Sequence, residues 1–329
     1  MRPVGEEKSL PLISHENVET GGGENSRILK IVCIIFASSI GFAAAGAICF
    51  AAKVTSAAFF LVTSVALAVL GIVVGVNHIA DRFFSKPLAA GMHAVHAAVL
   101  DVLAFTTQIF LYPTFALFDK MITPANADER PVLLVHGYLH NASAWIYAML
   151  RLRKAGFRSI YTINLYPPLR SIDSYADMVK ARAKEIQAET GRDDLILVGH
   201  SMGGLAASKA GMDVSATHIV TLGSPLKGTK AAYLGFGENA RQMRPNSEFT
   251  QKLQEDLLAY ESSHQTKFYQ VASTKDQLVP AESARLLLSE KRKEMVVHDL
   301  GHASLLYSPS VMDAVIRELQ PQRIEASSP

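Results

Sequence analysis

Hydrophobic positions are laid out in two different ways along this 329-residue chain. Before about residue 120 they form long unbroken runs. From about residue 128 they form short runs that alternate with periodic, half-polar stretches. No Asp, Glu, Lys or Arg lies between Lys30 and Lys53, and none between Lys53 and Asp81. Each interval supplies about the 20 apolar residues that a spanning helix needs. The polar break Lys53-Val54-Thr55-Ser56 between them predicts a transmembrane helical hairpin over residues 28–80. The polar, glycine-bearing segment 1–27 (Gly21-Gly22-Gly23) reads as a flexible tail. A cleaved signal peptide fits less well, because its apolar core would span only about 7–15 residues. A hairpin buried in a soluble core is disfavoured by the same length. Small residues (Gly41, Ala45, Gly71, Gly75) would let the two helices approach closely.

Two spans leave the tail and the C-terminal half on one side of the membrane. Arg27, Lys30, Arg82 and Lys86 flank the spans, against Lys53 alone in the turn, so both ends are expected on the cytoplasmic side. Residues 81–127 form an apolar helical connector. Its stretch Val102 to Phe118 reads as an interfacial or packing segment, with a third span as the alternative. His93 and His96 read as structural histidines, since Asp101 is the one carboxylate near them and no metal site is expected.

The C-terminal half, 128–329, has a different texture. Strands are predicted at Val132–Val135, Ile160–Leu165, Leu195–Val198, Ile219–Leu222, Phe268–Ala272 and Met295–Val297. Helices are predicted at Ala142–Ala155, over the periodic set Ile172, Tyr175, Met178, Val179, Ala183 and Ile186, and from Met202 onward. Such alternation implies an α/β fold with a mainly parallel sheet covered by helices on both faces.

Composition adds boundaries. The net charge is +2, without a dense basic stripe, so nucleic acid is not expected as a partner. Of the two cysteines, Cys33 and Cys49 share one apolar run. On a helix they would stand roughly 24 Å apart, beyond disulfide reach. The C-terminal half therefore owes nothing to disulfides.

The chemistry concentrates around Gly199-His200-Ser201-Met202-Gly203-Gly204, a G-x-S-x-G pattern between an apolar strand and a small-residue helix. A serine on so sharp a turn carries a strained backbone, and glycines at 199 and 203 avoid collision with neighbouring strand and helix. Ser201 is the expected nucleophile, and the Met202 N–H at the helix start the expected oxyanion donor. A second donor is expected from the loop Val135-His136-Gly137-Tyr138, at the N–H of Tyr138. His136 is expected to brace that loop, and His200 to point away from the serine as a packing residue.

A nucleophilic hydroxyl needs a base, and the base an orienting carboxylate. Asp276, in a turn after the strand at Phe268–Ala272, is the expected acid, with Glu282, expected at a helix start, as the fallback. His302 in the loop Gly301-His302-Ala303-Ser304 is the expected base, and His298 the competitor.

With these residues placed, the last 200 or so positions resemble the bacterial α/β-hydrolase lipases and esterases. The likeness rests on Val-His-Gly-Tyr at 135–138, Gly-His-Ser-Met-Gly-Gly at 199–204 and Leu-Gly-Ser-Pro-Leu-Lys-Gly-Thr at 222–229. It continues at Arg244-Pro245-Asn246-Ser247, Asp-Gln-Leu-Val-Pro at 276–280 and Gly-His-Ala-Ser at 301–304. At Leu226 the chain departs from the pattern, where many of those enzymes carry histidine. The resemblance implies an α/β-hydrolase fold and carboxylic ester hydrolysis through an acyl-enzyme, with no metal or organic cofactor. The hairpin resembles the chlamydial inclusion-membrane proteins, which implies a vacuole membrane and an enzyme facing the host cytosol.

The expectation is a membrane-tethered lipase or esterase acting on lipid esters, with segment 227–244 as a lid or an ordinary surface loop. An acyltransferase on the same triad and a non-catalytic membrane interaction protein on this scaffold are the alternatives.

Overall fold

The short apolar runs of the C-terminal half become the strands of one parallel sheet. The computed structural model describes residues 90–112, 129–286 and 291–320. Within them the sheet has six strands: β1 (Val132–Val135), β2 (Ile160–Ile163), β3 (Ile196–His200), β4 (His218–Leu222), β5 (Lys267–Ser273) and β6 (Arg292–Val297). Their spatial order is β2-β1-β3-β4-β5-β6. Every neighbouring pair is parallel, so each connection crosses a face of the sheet.

Helices make the crossings between β1 and β5, and two further helices stand before β1 and after β6 in the chain. In chain order the helices are α1 (Ala90–Leu111), α2 (Ile146–Lys154), α3 (Ile172–Thr190), α4 (Met202–Asp213), α5 (Gly237–Gln242), α6 (Glu248–Ser263) and α7 (Pro309–Leu319). Val132 and Leu134 of β1 join the core formed with α1, α2 and α7, whereas Leu133 and Val135 join that formed with α3, α4 and α6. A strand buried on both faces reads as a continuous apolar run, which is why Val-Leu-Leu-Val shows no alternation.

Local chemistry marks the helix ends. The Ser171 and Ser247 hydroxyls cap α3 and α6 by accepting the N–H groups of Ser174 and Thr250, and Gly191 closes α3 in the left-handed conformation. Asn141 Oδ1 accepts the Ser143 N–H, and this cap starts a 3-10 turn, Ala142–Trp145, before α2. The helix expected over 142–155 is thus divided. No helix starts at Glu282, contrary to expectation. After one turn on the Pro280 carbonyl the chain is drawn back to the sheet, where Leu286 N–H donates to Gln270 Oε1 at 2.8 Å.

The tail 1–27 and the hairpin 28–80 lie outside the described residues. Among the described residues no helix is long and apolar enough to cross a membrane. That sets aside the spanning alternative for the part of Val102–Phe118 lying in α1. Leu100, Ala104, Phe105 and Leu111 of this helix join the core of the sheet. Asp101, Thr107 and Gln108 are buried along the same helix. A face that buries a carboxylate, a hydroxyl and an amide suits a protein interior that offers hydrogen bonds, not lipid.

Candidate active site

The C-terminal ends of β1, β3, β4, β5 and β6 converge on one set of loops, the position where open parallel sheets collect their functional groups. β3 delivers Ser201. The chain turns there from strand to helix with φ 54° and ψ −128° at a residue that has a side chain. Ser201 N–H donates to the Leu222 carbonyl at 2.9 Å, and Gly204 N–H to the Ser201 carbonyl at 3.0 Å. The surrounding glycines have a steric cause. A Cβ at Gly203 would overlap the backbone oxygens of Val135 and His136, and one at Gly199 would overlap the backbone of Gly203 and Gly204.

The acid and base candidates meet. His302 Nδ1 lies 2.7 Å from Asp276 Oδ2, with both residues buried. The other oxygen, Oδ1, accepts the N–H groups of Leu278 and Val279 at 2.9 and 2.7 Å. The carboxylate therefore has a fixed orientation, and Nδ1 must carry the proton it donates. That leaves Nε2 as a proton acceptor. Burial alone would lower the affinity of His302 for a proton. The charge and hydrogen bond of Asp276, with the charge of Asp101 behind them, outweigh it, so the ring is raised above the usual imidazole value. The two loops are also cross-linked, since Ser273 Oγ donates to the Leu300 carbonyl. The competitors stand apart. His298 is exposed and pairs with Thr274 Oγ1 at 3.1 Å, and Glu282 is exposed in a turn.

The loop after β1 lies against the serine, for a Cβ on Gly137 would come within 3.1 Å of Ser201 Cβ. His136 braces this loop. Its Nδ1 donates to the Gly137 carbonyl at 2.9 Å, and its Nε2 accepts the Leu165 N–H at 2.9 Å. Burial holds this ring neutral, down to about 3, which the pair of roles requires. Tyr138 follows at the edge of the same loop. Met202 begins α4, where the first N–H groups have no acceptor within the helix.

Ser201, His200 and His302 line a mainly apolar cavity of about 400 Å³, within the usual range for small-ligand pockets. Its other walls come from Phe105 and Ile109 of α1 and Tyr112 just after it, from Leu278 and Val279 beside Asp276, and from segment 229–243. The last is the segment expected as a lid or a surface loop. It holds a 3-10 turn, Lys230–Tyr233, and α5, and it places Leu234 and Phe236 in the cavity wall while both remain largely exposed. Tyr138 ties it down: the phenol donates to the Phe236 carbonyl at 2.8 Å and accepts the Phe236 N–H at 2.9 Å. Among the described residues no group of three or more His, Cys, Asp or Glu side chains could hold a metal ion.

Two features escaped the sequence reading. His200 does not point away from the site. Its Nε2 donates to the His302 carbonyl at 3.1 Å and its ring lies 4.8 Å from the His302 ring. The turn at Ser201 is sharp enough to keep its neighbour in the same cavity wall. Asp101, read only as a carboxylate near His93 and His96, accepts the N–H groups of His302 and Ser304. The available signal was its isolation, since Asp101 is the one Asp, Glu, Lys or Arg residue in α1. A lone charge in an apolar helix is seldom buried without partners.

Residues 132–266 match the model of the Alpha/beta hydrolase family. No curated protein sequence matches the chain. Among solved structures, the lipase BlEst2 of Bacillus licheniformis in its mature form is similar at 20% identity and a TM-score of 0.50, over 60% of this chain and 94% of that one. The propeptide form gives 20% identity and a TM-score of 0.52, over 61% of this chain and 52% of that one. At this identity the likeness establishes the fold, which is the α/β-hydrolase fold with a parallel sheet.

Proposed function

We propose that this chain is a membrane-tethered serine hydrolase that cleaves carboxylic esters, with lipid esters as its substrate class. The observation that carries the reading is the His302–Asp276 pair at 2.7 Å, with His302 and the strained Ser201 lining the same apolar cavity. Ser201 Oγ attacks the ester carbonyl carbon as His302 Nε2 takes its proton. The N–H groups of Tyr138 and Met202 receive the oxyanion of the tetrahedral intermediate. Collapse breaks the bond to the alcohol, which leaves with the proton from His302. Water, deprotonated by the same imidazole, then releases the acid from the acyl-enzyme. The residues in these roles need no metal or organic cofactor.

The lipid assignment is supported by the cavity, whose walls suit an acyl chain, and by the apolar run at 28–80, which would hold the enzyme at a lipid surface with both ends on the cytoplasmic side. The likeness of that run to the chlamydial inclusion-membrane proteins makes a vacuole membrane the place to look for it.

Labelling of the full chain with a fluorophosphonate probe tests the chemistry. Wild type is expected to react and Ser201→Ala not to react; equal labelling of the two would overturn the reading. Turnover of p-nitrophenyl esters of increasing chain length then reads the acyl preference, and an added alcohol separates hydrolysis from acyl transfer. Resistance of the chain to carbonate extraction from membranes tests the tether.

A further inference from the structure

The loop that carries His302 has little regular structure of its own, so its backbone groups must find partners elsewhere. They find several. His96 Nδ1 of α1 lies 3.1 Å from the Asp299 carbonyl, Ser273 Oγ donates to the Leu300 carbonyl, and Gly301 N–H donates to Ser304 Oγ at 2.8 Å. Two more, both N–H groups, are taken by one side chain 201 residues away from His302. Asp101 Oδ2 accepts the His302 N–H at 2.6 Å, and Oδ1 accepts the Ser304 N–H at 2.9 Å. The carboxylate lies so close over Gly301 that a Cβ there would overlap it.

A hydroxyl or an amide could not do the same work. Two N–H donors, two residues apart, need two acceptor oxygens on one planar group, and a carboxylate provides them. An asparagine would accept one N–H and turn its own donor toward the other. Fold stability alone does not favour a charge here, because burial of the carboxyl works against ionisation and raises it to about 6. The group earns its place through what it holds.

We propose that Asp101 is a positioning residue for His302: from α1 it grips the backbone of the His302 loop and keeps the imidazole turned toward Asp276 and the cavity. This rests on the reading of His302 as the base. It makes α1 a working part of the active site, since the same helix supplies Phe105 and Ile109 to the cavity. The charged and titratable groups facing His302 are Asp276 from the loop after β5, Asp101 from α1 and His200 from β3.

The test compares Asp101→Asn and Asp101→Ala with wild type in the full chain, using a short p-nitrophenyl ester far below the melting temperature of each variant. The expected result is a fall in kcat of about 10- to 100-fold with KM little changed, as for other small displacements of a reacting group. The acid limb of the rate profile should move to lower pH, because the charge that helps His302 hold its proton is gone. A role confined to folding would lower the melting temperature and leave kcat and the pH limb where they were; that result overturns the proposal. The Nδ1 proton resonance of His302, assigned by its loss in His302→Ala, gives a reading independent of turnover. If it titrates at lower pH in Asp101→Asn while wild type shows no Ser201-dependent labelling, the positioning role stands and the hydrolase reading falls. An unmoved resonance sinks the positioning role whatever the activity.

Discussion

His302 Nδ1 donates to only one oxygen of Asp276, and the backbone of Leu278 and Val279 holds the other. The two oxygens have separate tasks, and the tautomer of the imidazole follows from a turn in the main chain.

Asp276→Asn should therefore be far more damaging than its size suggests. The amide oxygen would stay with the two N–H groups and the NH2 would face Nδ1, forcing the proton onto Nε2. An ester turnover loss of about 10³- to 10⁴-fold is expected, with the fold intact by circular dichroism, as for a wrong-tautomer triad. A loss below tenfold would mean that His302 does not depend on this carboxylate.

Ser201 sits at φ 54° and ψ −128°. Such strain costs about 1–3 kcal/mol at a residue with a side chain, and glycine is free of it. Ser201→Gly and Ser201→Ala should both be inactive, but the glycine variant should be the more stable by about 1 kcal/mol after the entropy of the unfolded chain is allowed for. Thermal melts of the two variants check this, and equal melting temperatures would remove the claim of strain.

Tyr138→Phe removes both bonds to the backbone of Phe236 and leaves the N–H of residue 138 in place. Segment 229–243 should loosen over the cavity, at a cost of about 1 kcal/mol for the lost hydrogen bonds. KM for long-chain esters is expected to rise severalfold while kcat on short esters changes little. A comparable loss of kcat on every ester would place the phenol in the chemistry instead.

Stability should fall on acidification from about pH 6.5 toward pH 4. Burial lowers His136 to about 3 and His140 and His218 to about 4, and drops His200 well below the usual value. The fold keeps these rings neutral, whereas the unfolded chain protonates them below about 6.5. Asp101 acts in the opposite sense: raised to about 6, it keeps a proton that the unfolded chain releases between about pH 4 and 6. Unfolding near pH 5 should take up about three protons net. The slope of melting temperature against pH reads that number, and Asp101→Asn should steepen it by about one proton.

Much of this site was legible in the chain. The elbow is a local object, because glycines, strand and helix lie within a few residues of Ser201 and sterics act at that range. Asp276 and His302 followed from which short apolar runs end in loops, and His136 as a brace from its place ahead of Ser201 in the expected order of residues. His200 was misread because alternation along an ideal strand does not survive a turn as sharp as the one at Ser201. The helix at Glu282 was misread because a hydrogen bond from Leu286 to Gln270 on β5 outcompetes a first-turn carboxylate.

Periodicity and local sterics in the sequence alone determined the parallel sheet and the serine on its turn. Tertiary structure alone decided that α1 belongs to the site. Asp101 and His302 are 201 residues apart, and no local preference of either residue announces the other. Their contact exists because the core of the sheet takes in Leu100, Ala104 and Phe105, and apolar burial of that face carries the neighbouring carboxylate to two N–H groups that lacked an acceptor.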